Sequence, residues 1–578
     1  MKLLKYTGSV LFLCFLSFTG CGSTSKESSS VFTFFQKTEM EKCYPDFKEK
    51  TLSDSLKTVF SGTSLIDDFY RNNQYTPLWT KDIFDSPELD SLVFYLKNSV
   101  MHGLNPEKFR YFEIKQLIDT LQTGDLKENM SMLYHYLMQL EKLATNAFVD
   151  YTTGLRFGFM NPQKVFSGSY FIPVMQPDSV YYNRLFSELK NNPIEFLSES
   201  QPKNPDYLKL QEALSFYKER EDIAFTPIPK KGKTVYKLKD AAPSVLPLIA
   251  KRLMLTGELP ETINPDSVYA VLNADLLSAV NLFRKHISYP EDEEIGEPTI
   301  DALNRPMSYY SEKIKINLER LRWKKETPVG EKFIEVNVAA FRLKAIEPEA
   351  DPLLIRVCVG KAGENQTPLL QSEIYYINLN PKWNVPSSII TKEIYWSVKK
   401  NPDYLKRNQM KLIDRSGKEV SQESVDWNSL NPKKFPYQVV QNSGAGNSLG
   451  RIKFMFNNPF SVYLHDTPVK NAFSYRNRAI SHGCVRVQKP IELSSFLFEK
   501  KDPVYLDRLL ITIDRNPESP EGKELFKKGT LKKLDDIVYL SKKTPLVIDY
   551  YTSYVLPDHV YFADDVYGFD KKIVKIIE

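Results

Sequence analysis

The spacing of apolar residues changes character once along the chain, near Lys332. From about Asp46 to Phe225, apolar positions recur every three or four residues between polar connections, which predicts helices; Met132 to Phe148 sets Leu133, Leu137, Leu140, Leu143 and Ala147 on one helical face. Ser244 to Asn304 repeats the pattern on a smaller scale, with Leu246, Ile249 and Leu253 on one predicted helix and Leu276, Ala279, Val280 and Phe283 on a second. After Lys332 the pattern alternates. Ile334, Val336 and Val338 interleave with Glu335 and Asn337, Ile355, Val357 and Val359 with Arg356 and Cys358, and Phe454 and Phe456 flank Met455. This predicts a β-rich domain from Lys332 to about Lys500, with a late strand over Leu546 to Tyr554. Ser397 to Tyr437 interrupts it with polar, proline-bounded sequence around Trp427 and reads as an inserted lid. Pro229 to Lys239 is basic and aperiodic, as a linker or short hairpin would be.

With 578 residues there is room for roughly four units. Hydrophobic residues at 42% and aromatics at 13% exclude a disordered chain, and a net charge of +5 over this length gives no electrostatic case for a nucleic-acid partner. The N-terminus changes the picture more. Lys2 and Lys5 precede an apolar run from Ser9 to Phe18, too short to span a bilayer, which needs about 20 such residues. The junction Thr19-Gly20-Cys21-Gly22 and the serine-rich stretch after it resemble a bacterial lipoprotein signal, which implies a lipid on Cys21 and a membrane as partner. An ordinary cleaved signal or a short uncleaved anchor is the alternative, and each of these exports the chain.

Of five cysteines, Cys14 falls in the signal and Cys21 at its end, leaving Cys43, Cys358 and Cys484. No disulfide framework follows from an odd remainder, and the six histidines form no cluster with metal-ligand spacing. No metal or cofactor is expected. His102 and His135 read as core-edge or solvated residues of the helical region.

The chemistry concentrates between Tyr463 and Arg486. His465 follows one predicted strand and Cys484 precedes another, with Ser481-His482-Gly483-Cys484 beginning after a fifteen-residue interval. A thiol needs a base to become a nucleophile at neutral pH and donors to hold the oxyanion it creates. His465 is the candidate base, and the N–H groups of Gly483 and Cys484 are the candidate donors. The orienting acceptor for the imidazole is either the Asp466 carbonyl or its carboxylate.

The interval followed by Ser-His-Gly-Cys resembles the active-site signature of the L,D-transpeptidases, cysteine enzymes that cross-link bacterial peptidoglycan. Asn317-Leu318-Glu319-Arg320, Asn380-Pro381-Lys382-Trp383-Asn384-Val385-Pro386, Gly446-Asn447-Ser448-Leu449-Gly450 and His465-Asp466-Thr467-Pro468 are similar to the large multi-domain branch of that family, over roughly residues 60 to 570. The family signature has Asn two positions after the cysteine; here Arg486 stands there, as in the large branch, and would either brace the loop or meet a substrate carboxylate. Glu294 to Asn304 is similar to the closing stretch of a small three-helix peptidoglycan-binding module, although Phe283-Arg284-Lys285-His286 departs from it.

The resemblance implies an α+β multidomain protein: a helical scaffold, a three-helix peptidoglycan-binding-like module and an L,D-transpeptidase-type β-sandwich with an inserted lid. The implied division is signal peptide 1–20, lipid-anchored tether 21–45, scaffold 46–228, module 235–306, catalytic domain 320–500 with its lid at about 397–437, and an extension 501–578 that completes the fold. Cys484 is implied as nucleophile and His465 as base, with Ser481, His482, Gly483, Asp466 and Arg486 supporting them. Tyr463, Asn447 and Trp383 are candidate substrate-binding residues. The implied substrates are donor and acceptor stem peptides, joined by a 3→3 cross-link on the periplasmic side of the envelope, and carbapenems would acylate the site. A hydrolase on the same residues and a non-catalytic wall-binding scaffold are the rival readings.

Overall fold

A computed structural model describes residues 38–230, 235–323, 330–499 and 502–577. The expected signal peptide, the lipid-anchor candidate Cys21 and most of the expected tether lie outside the described residues. Among the described residues no helix is long and apolar enough to cross a membrane.

The first unit wraps helices around the 28-residue helix Met130–Phe157, which buries Leu133, Leu137, Leu140 and Ala147 as its periodicity predicts. Glu141 on that helix is also buried. Its carboxylate accepts the N–H groups of Leu78, Trp79 and Thr80 at 2.6 to 3.1 Å and the hydroxyls of Thr80 and Tyr70 at 2.7 Å, which fastens the neighbouring loop. Such a cage supplies what a buried carboxylate requires.

The second unit contains helices Leu246–Thr256, Ala274–His286 and Glu297–Leu303, a single turn at Pro265–Val268, and a short ladder joining Tyr236–Lys237 to Glu294–Ile295. The three helices of the expected module are present, but they do not close a core by themselves. Its core is completed by Tyr207, Leu210, Leu214 and Tyr217 of the helix Pro205–Lys218, by the helix Met307–Arg322, and by Val555, Val560 and Phe562 from a C-terminal hairpin. The apolar face of Pro205–Lys218 therefore faces this unit, although the sequence pattern assigns that helix to the scaffold.

Met307–Arg322 is the spine of the molecule. Glu319 accepts the Phe159 N–H at 2.7 Å and the Trp323 indole at 2.8 Å and pairs with Arg322 at 2.8 Å, and Arg322 reaches the Tyr207 hydroxyl at 2.8 Å. One turn away, Arg320 pairs with Asp570 at 2.7 Å and Asn317 donates to Thr552 at 2.9 Å. Scaffold and C-terminal segment are thus tied to one helix.

Among the described residues the sheet of the β-domain has nine strands: β1 (Phe333–Asn337), β2 (Arg342–Ile346), β3 (Leu353–Gly360), β4 (Leu370–Leu379), β5 (Ile452–Phe456), β6 (Leu464–His465), β7 (Ala479–Ser481), β8 (Val485–Val487) and β9 (Ile537–Asp549). They hydrogen-bond in the order β7-β3-β8-β6-β5-β4-β9-β1-β2, and β2 also pairs with β3. Where the sequence suggests a sandwich of two sheets, the ladder is one sheet that closes on itself, with β7 attached at β3. Closure follows from β3 having partners on both sides while the late strand β9 lies between β4 and β1. The inward positions Ile334, Val336, Val357, Phe454, Leu464 and Val485 form its core.

The inserted segment is larger than the 397–437 expected from its polar sequence. Its four-stranded sheet takes in Trp383–Asn384 and Gln438–Gln441, and it has an apolar core of its own running from Val385 to Val439.

Candidate active site

The parallel pairing of β6 with β8 sets Leu464 opposite Val485 and His465 opposite Arg486. The Val485 N–H extends this pairing to the Tyr463 carbonyl at 3.0 Å. The residues that flank the two short strands, Tyr463 and Cys484, are thereby brought together at the same end. Burial pushes the Cys484 thiol up; the Tyr463 N–H and phenol, which both face the sulfur, and then Lys453 and Arg486, pull it back. The sulfur's partner in this state is Tyr463, and no hydrogen bond joins it to His465 among the described residues. Catalytic hydrogen bonds commonly tighten only when substrate is bound.

His465 is 5% exposed. Its Nδ1 faces the Asp466 carbonyl oxygen, which accepts only, so Nδ1 carries the proton and Nε2 is left as the basic atom. Burial, with the Arg486 guanidinium, lowers its pKa to about 4, so the ring is neutral at physiological pH. Of the two acceptors considered from sequence, the carbonyl is the one used. The Asp466 carboxylate instead takes the N–H groups of Thr467 at 2.7 Å and Arg451 at 2.9 Å and the Lys470 ammonium.

Gly483 adopts φ +115, a conformation that a side chain would strain. Its N–H does not point to a free oxyanion site: it donates to Ser481 Oγ at 3.2 Å, while Ser481 Oγ donates to the Cys484 carbonyl at 2.6 Å. This corrects the expected donor pair, because the small loop closes on its own serine and leaves the Cys484 N–H as the donor without a partner among the described residues. The Gly483 carbonyl is held by Thr367 Oγ1 at 2.8 Å, which also accepts the Gly360 N–H at 2.8 Å, and Tyr567 braces the same loop by accepting the Thr367 N–H at 3.1 Å.

Asn447 is wholly buried and does not line the cleft. Its amide donates to the carbonyls of Pro381 and Asn442 at 3.1 and 2.9 Å and accepts the Leu449 N–H at 2.8 Å, so its hydrogen-bonding capacity is spent on the turn it belongs to. Trp383 does reach the site, through its indole N–H toward the Tyr463 phenol. His482 turns outward and meets Glu393 of the inserted segment. Arg486 Nε is buried without a hydrogen-bond partner among the described residues. No group of side chains suited to a metal occurs among the described residues.

Residues 331–506 match the L,D-transpeptidase catalytic domain, and residues 64–214 match the Scaffold domain. The β-domain belongs to the L,D-transpeptidase family. A Haemophilus influenzae protein, provisionally named an L,D-transpeptidase, is 29% identical over 275 residues, which covers 46% of this chain and 50% of that protein. The chain thus spans about half the length of the curated relative it matches.

Within this L,D-transpeptidase domain, sequence reasoning missed Lys453, Thr367, Tyr567 and Glu393. Lys453 stands opposite His465 on β5 and holds its ammonium 3.8 Å over the Tyr463 ring. A lysine alternating with the apolar residues of a strand beside the candidate base was a readable signal. Nothing local marks Tyr567, which reaches the loop from about 200 residues away.

Proposed function

We propose that the protein is a cysteine L,D-transpeptidase that forms 3→3 peptidoglycan cross-links through an acyl-enzyme. The observation that supports this reading is the β6–β8 pairing, which brings His465 on β6 near Cys484, the residue just before β8. The Cys484 proton passes to His465 Nε2 and the thiolate attacks the carbonyl between the third, diamino residue of a stem peptide and its fourth, D-Ala. The C–N bond breaks, the D-Ala amine takes the proton from His465, and a thioester remains. An acceptor amine then attacks the thioester, gives its proton to His465, and releases the thiolate. The Cys484 N–H is the donor available to the oxyanion. The enzyme works on the periplasmic side of the envelope, tethered through a lipid on Cys21.

The test is incubation of the full chain with tetrapeptide-bearing muropeptides. D-Ala release together with cross-linked dimers, both absent in Cys484→Ser, is the expected result. Tripeptide monomers without dimers would reassign the site to hydrolysis. Absence of both turnover and a carbapenem adduct on Cys484 would leave a non-catalytic wall-binding protein.

A further inference from the structure

Arg342 and Arg356 stand directly opposite each other on the antiparallel pair β2–β3. Side chains in that relation have Cβ atoms about 5 Å apart, and like charges there destabilise a sheet. Arg478 completes the group. It is 6% exposed, and its three nitrogens donate to the carbonyls of Val357, Tyr475 and Phe341 at 2.8 to 3.3 Å. Burial first, and then the neighbouring Arg356 and Arg342, draw its pKa down to about 10. Among the described residues, none of the three guanidiniums meets a carboxylate. Arg342 has only the Tyr561 ring, 5.9 Å away, and Arg356 a long contact to the Phe473 carbonyl at 3.5 Å.

These arginines line one cavity of about 70 Å³, together with Lys285 and Glu291 from the second helical unit. Lys285 is paired with Asp558 at 2.8 Å, so the arginines outnumber the one carboxylate on the wall. A neighbouring cavity shows the ordinary arrangement: its Arg476 is answered by Asp564 at 3.3 Å. A fold that keeps three guanidiniums together at some cost to its own stability, at a junction between two units, leaves room for a counter-charge from outside.

We propose that this junction cavity is an anion-binding site whose ligand is a carboxylate of a peptidoglycan stem peptide. The ligand class rests on the function proposed above, and the cavity itself on the arginine geometry. Strand alternation puts it on the same face of the sheet as the nucleophile: Arg356 is two residues from Cys358, Cys358 pairs with Arg486, and Arg486 is two residues from Cys484. The Gln488 N–H donates to the Arg356 carbonyl, so Arg356 lies about four residues, or roughly 13 Å, along the strands from the level of Cys484. One wall strand can occupy both places. The second helical unit then contributes to wall binding through the edge it shares with the catalytic domain.

The experiment is co-sedimentation of the full chain with purified sacculi, comparing wild type with Arg356→Gln, whose side chain is exposed, and with the Arg342→Gln/Arg356→Gln double variant. Binding should weaken at least 5-fold in the double variant, fall with added salt in the wild type, and disappear on sacculi stripped of stem peptides by an amidase. Undiminished binding by the double variant, or undiminished binding to stripped sacculi, overturns the proposal. A second measurement guards against misfolding. Arg356→Gln should melt no lower than wild type, because it relieves repulsion, and citrate should raise the melting temperature of wild type but not of the variant; a lower-melting variant, or equal citrate shifts, also overturns it. Stronger protection by inorganic phosphate than by citrate would reject the carboxylate. Turnover of soluble muropeptides by the wild type is scored separately, so loss of the proposed reaction and loss of this site are told apart.

Discussion

Lys453 holds its ammonium 3.8 Å above the centroid of the Tyr463 ring, and the Tyr463 phenol faces the Cys484 sulfur. Cross-strand register makes this part of a longer row, because Lys453 is opposite His465, His465 opposite Arg486, and Arg486 opposite Cys358. Burial lowers the Lys453 pKa and the nearby sulfur raises it. Two cations on either side of the imidazole favour a neutral ring and partly offset the burial that pushes the Cys484 thiol up.

Lys453→Met should therefore move the midpoint for alkylation of Cys484 by iodoacetamide upward by roughly one pH unit, the usual effect of removing an opposite charge at close range. Lys453→Arg should restore it. An unmoved midpoint in Lys453→Met would show that the ammonium does not act on the sulfur.

The same burial sets the acid side of the pH profile. His465 accepts a proton only while neutral, and its pKa is about 4, so kcat/KM should fall as pH drops through about 4 and not near 6.5. The folded protein also holds His102 at about 3 and His559 at about 4, both depressed first by burial. Unfolded histidines titrate near 6.5, so below that pH the unfolded chain binds more protons and the fold loses stability, by about 1.4 kcal/mol per histidine for each pH unit until the folded pKa is reached. Melting curves at pH 7.5 and pH 5 should differ accordingly; coincident curves would contradict the buried, neutral state of these rings.

The inserted segment is held over the site by two neighbouring residues: Glu393 meets His482, and Lys392 pairs with Glu364 at 2.5 Å. Both pairs are exposed, and contacts of this kind contribute about 0 to 1 kcal/mol each. The segment is thus closed by weak ties, suited to opening for a bulky substrate. Glu393→Gln should speed hydrogen exchange across residues 387–400 without changing exchange in the β-domain core. Equal exchange in both proteins would mean that its own apolar core, and not this tie, sets its position.

How much of this could be read beforehand depended on sequence distance. The long helix around Leu133 to Ala147 and the alternation of β1 and β3 were visible because each is a local pattern, and the Ser481–Cys484 motif with His465 marked where to look for the site. Closure of the sheet was not, since β9 lies between β4 and β1 across nearly 200 residues and alternation carries no register. That Pro205–Lys218 turns its apolar face to the second unit was not legible either, because periodicity names a buried face but not what covers it. Gly483 and Asn447 misled for a different reason. A motif gives the residue type, whereas the fate of its N–H or amide depends on Ser481 or on the Pro381 carbonyl, which only the folded loop brings within reach.

Gly450 offers a test of how the imidazole is held. It has φ +62, and a Cβ there would come within 2.4 Å of the Asp466 side chain. That carboxylate cannot give way freely, because it fixes the Arg451 and Thr467 N–H groups, while the carbonyl of the same residue orients His465 Nδ1. Gly450→Ala should therefore cost about 1 to 3 kcal/mol of stability through backbone strain alone. It should also lower kcat at least 10-fold with little change in KM, since the ring is misdirected but the cleft is intact. Asp466→Asn keeps the shape and the backbone carbonyl but only one of the two N–H contacts, because the Thr467 and Arg451 N–H groups go to different carboxylate oxygens, so its loss of kcat should be smaller than that of Gly450→Ala. If Gly450→Ala keeps full kcat, the Asp466 carbonyl is not what orients His465.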